Sequence, residues 1–236
     1  MSKEFSVFVK YLKKLKERYF FTLSAFFVYE GLRELSADNI VGEKEADRNV
    51  KTMNRFNEFF GSSKEALRVY FLLELAKLFD SSNQALHVDK IVNFAQSNIK
   101  KFSVSDFVEF NQDNKFIKEL VANYNGISNK DLQRLRLLIS SQKDTIDNLK
   151  IYRDKYLAHD DLVKVNVDNL NPEKIKNLFS IIEEILNLFS SKLDDSITKY
   201  DHIENICKDK TKMVVEYLER FEPYRLEEIR KEIGGY

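Results

Sequence analysis

A chain of 236 residues in which 38 basic side chains cancel 38 acidic ones has no formal net charge. That balance argues against a nucleic-acid coat protein held by bulk phosphate neutralisation, but it leaves room for a small local phosphate site and suits self-association. The apolar fraction of 43% can bury a core, and six Gly and two Pro are too few for the turns of a sheet protein, so an all-α helical bundle is expected. The lone cysteine, Cys207, cannot form an internal disulfide, which fits a reducing cytosol and a small core residue better than a nucleophile.

Phe5 to about Leu35 reads as one long helix, with Val9, Leu12, Leu15, Tyr19, Leu23, Phe26 and Phe27 at three- and four-residue steps. Lys10, Lys13, Lys14, Lys16 and Arg18 fall on the other face, where a solvated surface is expected. The apolar stretch from Tyr19 to Tyr29 is about half of the roughly 20 residues that span a bilayer. It reads as a core helix, and a cytoplasmic protein with no membrane partner is expected. Glu43 to Phe60 forms a second helix, with Val50, Met53 and Phe56 on one face, ended by Gly61. Ser62 or Ser63 then caps a third helix from Lys64 to Phe79. Val88 to Asn98 is a short helix, and Ser103 to Asn125 reads equally as helix or brief extended chain. Ser128 caps a helix from about Lys130 to Leu157, about 40 Å long if regular. Pro172 opens another at a position where its missing N–H costs nothing. A helix from Ser196 to Leu218 and a short tail helix after Pro223 complete the chain. The expected organisation is a domain over residues 1–195 with a helical extension, 196–236, packed on it.

The sequence has no Gly-rich phosphate loop, no Cys/His cluster with zinc spacing and no dinucleotide-binding glycine pattern, so neither metal nor cofactor is expected. Chemistry concentrates instead in Arg153-Asp154-Lys155-Tyr156-Leu157-Ala158-His159, followed by Asp160 and Asp161. Arg grips phosphate oxygens in a fixed fork, and His moves protons near neutral pH. Continuing the stripe Leu135, Leu138, Gln142, Ile146, Leu149 brings Arg153 and Tyr156 to the face that should be covered. Arg is rarely covered unless paired, so Arg153 needs a carboxylate partner or a cleft. Residues six apart on a regular helix differ by about 120° around the axis and about 9 Å along it, so Arg153 and His159 do not converge easily on one phosphate. Either the helix ends before His159, or two copies meet across a two-fold axis and pool their side chains. A plain structural role fits the same residues: an Arg bridged to a carboxylate, and a His beside a helix C-terminal dipole. Elsewhere His87 reads as a surface or half-buried residue beside Asp89, His202 as part of a charged helix, and Asp80 as the cap of a turn. Tyr70, Tyr152 and Tyr156 read as core more readily than as base-stacking platforms.

The run Arg153 to Asp160 resembles the signature of the HEPN superfamily, in which Arg is followed by a small polar residue and, a few positions on, by His. It is most similar to the HEPN-like proteins of bacterial abortive-infection systems. Leu72-Leu73-Glu74-Leu75-Ala76-Lys77-Leu78-Phe79-Asp80 looks like an earlier helix of that group, ending in Phe-Asp. The resemblance covers roughly Phe5 to Phe189. It implies an all-helical bundle that forms a homodimer through its motif helices and cleaves RNA without a metal, as a toxin or antiviral effector. The implied catalytic pair is Arg153 and His159, with Asp154, Tyr156, Asp160 and Asp80 in support. RNA would be cut through its 2′-OH, leaving a 2′,3′-cyclic phosphate, and DNA would be inert. An antitoxin partner that modifies Tyr156 is a further implied possibility. Because some members have lost activity, an inactive interaction or scaffold module is the alternative, with Arg153 and His159 pairing with Asp160 or Asp161 across an interface.

Overall fold

Among the described residues, eleven α-helices and no strand make up the chain in a computed structural model that describes residues 1–82, 84–157 and 170–234, with the backbone alone at 156 and 157. They are α1 (Lys3–Glu34), α2 (Asp38–Val41), α3 (Glu43–Arg55), α4 (Asn57–Leu78), α5 (Val88–Asn98), α6 (Val104–Phe110), α7 (Ile117–Asn123), α8 (Asn129–Ser141), α9 (Lys143–Tyr152), α10 (Pro172–Asp194) and α11 (Asp201–Ile233). A turn of π-helix, Arg153–Leu157, follows α9 directly. The all-α expectation holds. None of the described helices is long and apolar enough to cross a membrane. The chain divides into two compact units, one of Met1–Thr22 with Leu72–Lys199 and one of Leu23–Phe71 with Tyr200–Tyr236.

The first unit is built on aromatic packing. Phe8 of α1 meets Phe189 of α10 edge to face, with ring centroids 5.1 Å apart at 89°, and leans against Phe102 at 5.1 Å. Phe5 packs against Phe102 and Phe110. Leu75, Leu78, Ile91, Leu132, Leu135, Leu149 and Ile182 fill the rest of this core. Arg18, expected on a solvated face, instead donates to Glu74 of α4 at 3.1 Å and to the Leu86 carbonyl at 2.6 Å. A carboxylate and an orphan carbonyl within reach of one fork hold it half-buried. The ambiguous stretch after Ser103 forms two helices. Ser103 and Asp106 make a capping box at α6, and the buried Asp106 also accepts from the Ser2 N–H and hydroxyl. Ser128 and Asp131 repeat the device at α8.

The second unit packs Leu32, Leu35, Phe60 and Val215 together, with Met53, Phe56, Leu67 and Leu218 around them. Here the expected boundary at Gly61 is wrong. The break falls at Phe56 (φ −123°, ψ 41°), and Gly61 lies inside α4. A glycine within a helix costs about 1 kcal/mol relative to alanine, whereas burying Phe60 contributes about 1.5–3 kcal/mol and requires the helix to begin before it. Helix α3 also turns a polar residue inward. Asn49 is buried because its side-chain amide donates to the Leu35 carbonyl at 3.0 Å, satisfying a group left open just beyond the end of α1. Pro223 does not separate a tail helix, because α11 runs through it. The Glu222 carboxylate accepts from Arg225 at 2.8 Å and faces Arg55 of α3 at 3.6 Å, so side-chain bonds brace the chain where the proline removes a backbone donor. Gly31 brings α1 close to α11: a Cβ placed there would lie 3.4 Å from the Lys208 Cα.

Two stability changes follow. Phe189→Ala should cost about 3–5 kcal/mol in denaturant unfolding, because a fully buried ring is removed from a packed aromatic cluster. Gly31→Ala should be neutral or stabilising by up to about 1 kcal/mol, whereas Gly31→Leu should destabilise by about 1–3 kcal/mol through overpacking against α11.

Candidate functional site

Two helix ends carry the site. Helix α4 buries Leu75, Ala76 and Leu78 and closes through Phe79 and Asp80, whose N–H groups donate to the carbonyls of Ala76 and Lys77. The helix expected from Lys130 to Leu157 is broken at Gln142 (φ −109°, ψ 17°), where the N–H bonds back to the Ile139 carbonyl, so α8 and α9 are separate. In α9, Ile146, Leu149 and Tyr152 are buried, and the wider π turn begins at the next residue, Arg153.

The Arg153 side chain is 20% exposed, and two carboxylates hold it. Its Nε donates to Asp154 Oδ1 at 2.7 Å, and its Nη1 donates to Asp80 Oδ2 at 3.3 Å. Asp80 lies 73 residues earlier in the chain and also accepts from the Ser81 N–H at 2.7 Å. Burial alone would raise the Asp80 carboxyl. The Ser81 bond and the positive charges of Arg153 and Lys150, joined by His87 when it is protonated, outweigh it and hold the group below the ordinary carboxylate value. Arg153 is raised further above its usual value, chiefly by its hydrogen bond to Asp154, against desolvation and with added attraction from Asp80. The Arg153 guanidinium thus sits between two carboxylate side chains.

His87, expected at the surface or half-buried, is 5% exposed. It serves as the N-cap of α5: Nδ1 accepts from the Lys90 N–H at 3.2 Å, which leaves Nε2 to donate to the Ser82 carbonyl at 3.1 Å. Burial lowers its basicity, opposed by the Ser82 carbonyl and by Asp89 and Asp80. Its burial and its part in the field around Asp80 carried no sequence signal, since His is an uncommon cap. Lys150, by contrast, lies one helical turn before Arg153 and could have been read from spacing. His159, Asp160 and Asp161 lie outside the described residues, as does the side chain of Tyr156. Of the residues singled out by sequence, the structure thus brings together Arg153, Asp154 and Asp80. His202 is exposed, and Cys207 is half-buried, its thiol pushed up by burial against a hydrogen bond from Ser24. Among the described residues there is no group of three His, Cys, Asp or Glu side chains able to hold a metal.

The lowered Asp80 carboxyl fixes the sign of a pH effect. A group whose value falls on folding stabilises above its unfolded value, near 3.9, and loses that contribution as pH drops through its folded value. Wild type should therefore melt about 2–4 °C above Asp80→Asn at pH 7, the worth of about 1 kcal/mol in a chain of this size. The gap should close below about pH 4. A gap unchanged at pH 2.5 would show that the carboxylate charge is not its origin.

The two sequence stretches that meet here, Leu72–Asp80 and the run from Arg153, fall inside one family match. A family model described as HEPN_AbiU2 matches residues 8–214, and with it parts of both compact units. No curated protein and no solved structure matches the chain. With a helical architecture and a match over most of its length, the chain belongs to the AbiU2 family of HEPN-type abortive-infection proteins.

Proposed function

We propose that this protein is a metal-independent endoribonuclease of the abortive-infection type, in which Arg153 and His159 act on one RNA phosphate at a homodimer interface. The observation that carries the reading is the oriented guanidinium. Arg153 is held by Asp80 and Asp154 at the start of the turn that leads toward His159, in a chain of HEPN type. A guanidinium has five N–H donors, and the two carboxylates account for two, so its plane can be fixed while another edge meets a phosphate.

In the proposed reaction a 2′-oxygen attacks the adjacent phosphorus. His159 takes the 2′-OH proton, Arg153 stabilises the charge that builds on the phosphoryl oxygens, and the 5′-oxygen departs with a proton from a second imidazole. The products are a 2′,3′-cyclic phosphate and a 5′-OH. Two copies pooling their side chains supply that second imidazole and remove the geometric difficulty of a six-residue spacing. The reading places the protein in the cytosol and leaves Tyr156, beside Arg153 in the turn, as the residue an antitoxin could modify. The second reading, an inactive interaction module, is favoured by the same ion pairs: Asp80 and Asp154 already satisfy Arg153 without RNA.

Cleavage in EDTA separates them. Wild type should cut RNA to cyclic-phosphate ends and leave DNA intact, and His159→Ala and Arg153→Ala should each lower the rate at least about 100-fold. If a broad panel of cellular RNAs stays whole and Arg153→Ala changes only the melting temperature, the scaffold reading stands instead.

A further inference from the structure

Helix α11 carries an apolar stripe unrelated to the Arg153 site. Val214, Tyr217, Phe221 and Tyr224 are 49%, 56%, 53% and 65% exposed. Their steps of three, four and three residues are those of a heptad seam, the pattern by which one helix packs against another. The helix has its own core side elsewhere, where Thr211 and Val215 are buried. A further flank is occupied by α3, through Lys212–Glu45 at 2.9 Å, Arg48–Glu219 at 3.2 Å and Arg55–Glu222 at 3.6 Å. Beside the stripe a cavity of about 520 Å³, lined by Leu32, Phe59, Phe60, Leu67, Tyr70 and Val214, opens to solvent. Phe59 and Tyr70, 63% and 44% exposed, widen the apolar surface from α4.

The charges at the two ends of the stripe identify what covers it. One step before Val214 in the same repeat stands Lys210, and one step after Tyr224 stands Glu228, both exposed. Pairing α11 in parallel with a second α11 would set Lys210 against Lys210 and Glu228 against Glu228. Antiparallel pairing about a two-fold axis beside residue 219 sets Lys210 against Glu228, Val214 against Tyr224 and Tyr217 against Phe221, and the symmetry repeats each contact. Every layer is then apolar on apolar or opposite in charge along roughly 27 Å of helix. We propose that α11 is a self-association element that binds a second copy of this chain antiparallel, with the cavity beside Val214 receiving the partner's aromatic side chains. The contact is separate from the homodimer proposed at Arg153 and requires no RNA, so it stands or falls independently of nuclease activity.

Sedimentation of the full chain, with Lys210→Glu, Glu228→Lys, the double exchange and Phe221→Asp, tests the pairing, and circular dichroism confirms that each variant is folded. Wild type should associate. Each single charge reversal should weaken association about ten-fold, because two ion pairs become repulsive in every dimer, and the double exchange should restore it. Phe221→Asp should weaken association at least about 100-fold. If Phe221→Asp fails to fold, Tyr224→Asp serves in its place. A wild type monomeric at about 100 µM, well above the micromolar affinities of even weak standard interfaces, overturns the proposal. So does association indifferent to these substitutions, or a double exchange that fails to restore it.

Discussion

A guanidinium that is four-fifths covered by protein must meet negative charge, and that requirement organises the region around Arg153. Transfer of an unpaired cation into such surroundings costs several kcal/mol. Asp80 and Asp154 remove the cost. Because Asp80 comes from the end of α4 and Arg153 from the end of α9, the ion pair fixes two helix termini that are distant in sequence against each other. Behind the two charged ends each helix buries apolar side chains, Leu75 and Leu78 on α4 and Ile146, Leu149 and Tyr152 on α9, which anchor it in the core. Pairing also sets the orientation of the planar fork, and orientation is what a phosphate-binding group needs before its ligand arrives.

Local chemistry that acts within a few residues was legible in the sequence. The Ser128 cap and Pro172 at the head of α10 both follow from side chains adjacent to the boundary they set. Boundaries set by tertiary packing were not. Gly61 looks like a stop, yet burying Phe60 draws the helix through it. Pro223 looks like a break, yet Arg225 and Arg55 brace the turn around it. The apolar stripe gave no warning at Gln142, because a kink of one residue preserves the pattern on both sides. In the site, the need of Arg153 for a partner could be read from its position on the covered face. The identity of that partner could not be derived from spacing, since 73 residues separate the pair, and only the Phe-Asp ending of α4 hinted at it.

The zero net charge takes on a physical meaning in the fold. Many charges are met locally, in pairs such as Arg18–Glu74, Lys208–Glu34 and Arg153–Asp80. A nuclease built this way would gain little from long-range attraction to RNA and would depend on precise contacts at the phosphate. Association between copies meets little long-range repulsion for the same reason. The heptad stripe of α11 and the proposed pooling of two Arg-His sets both draw on that property, at different places on the chain.

Single-turnover RNA cleavage in EDTA by wild type, Arg153→Ala, His159→Ala and the double variant is the measurement to make. If the two side chains act as a unit on one phosphate, each single change abolishes most of the rate and the double variant is no slower than the worse single one. Cleavage at the wild-type rate by either variant, with only the melting temperature altered, would contradict a catalytic pairing of Arg153 with His159 and leave Arg153 as a structural clamp between α4 and α9.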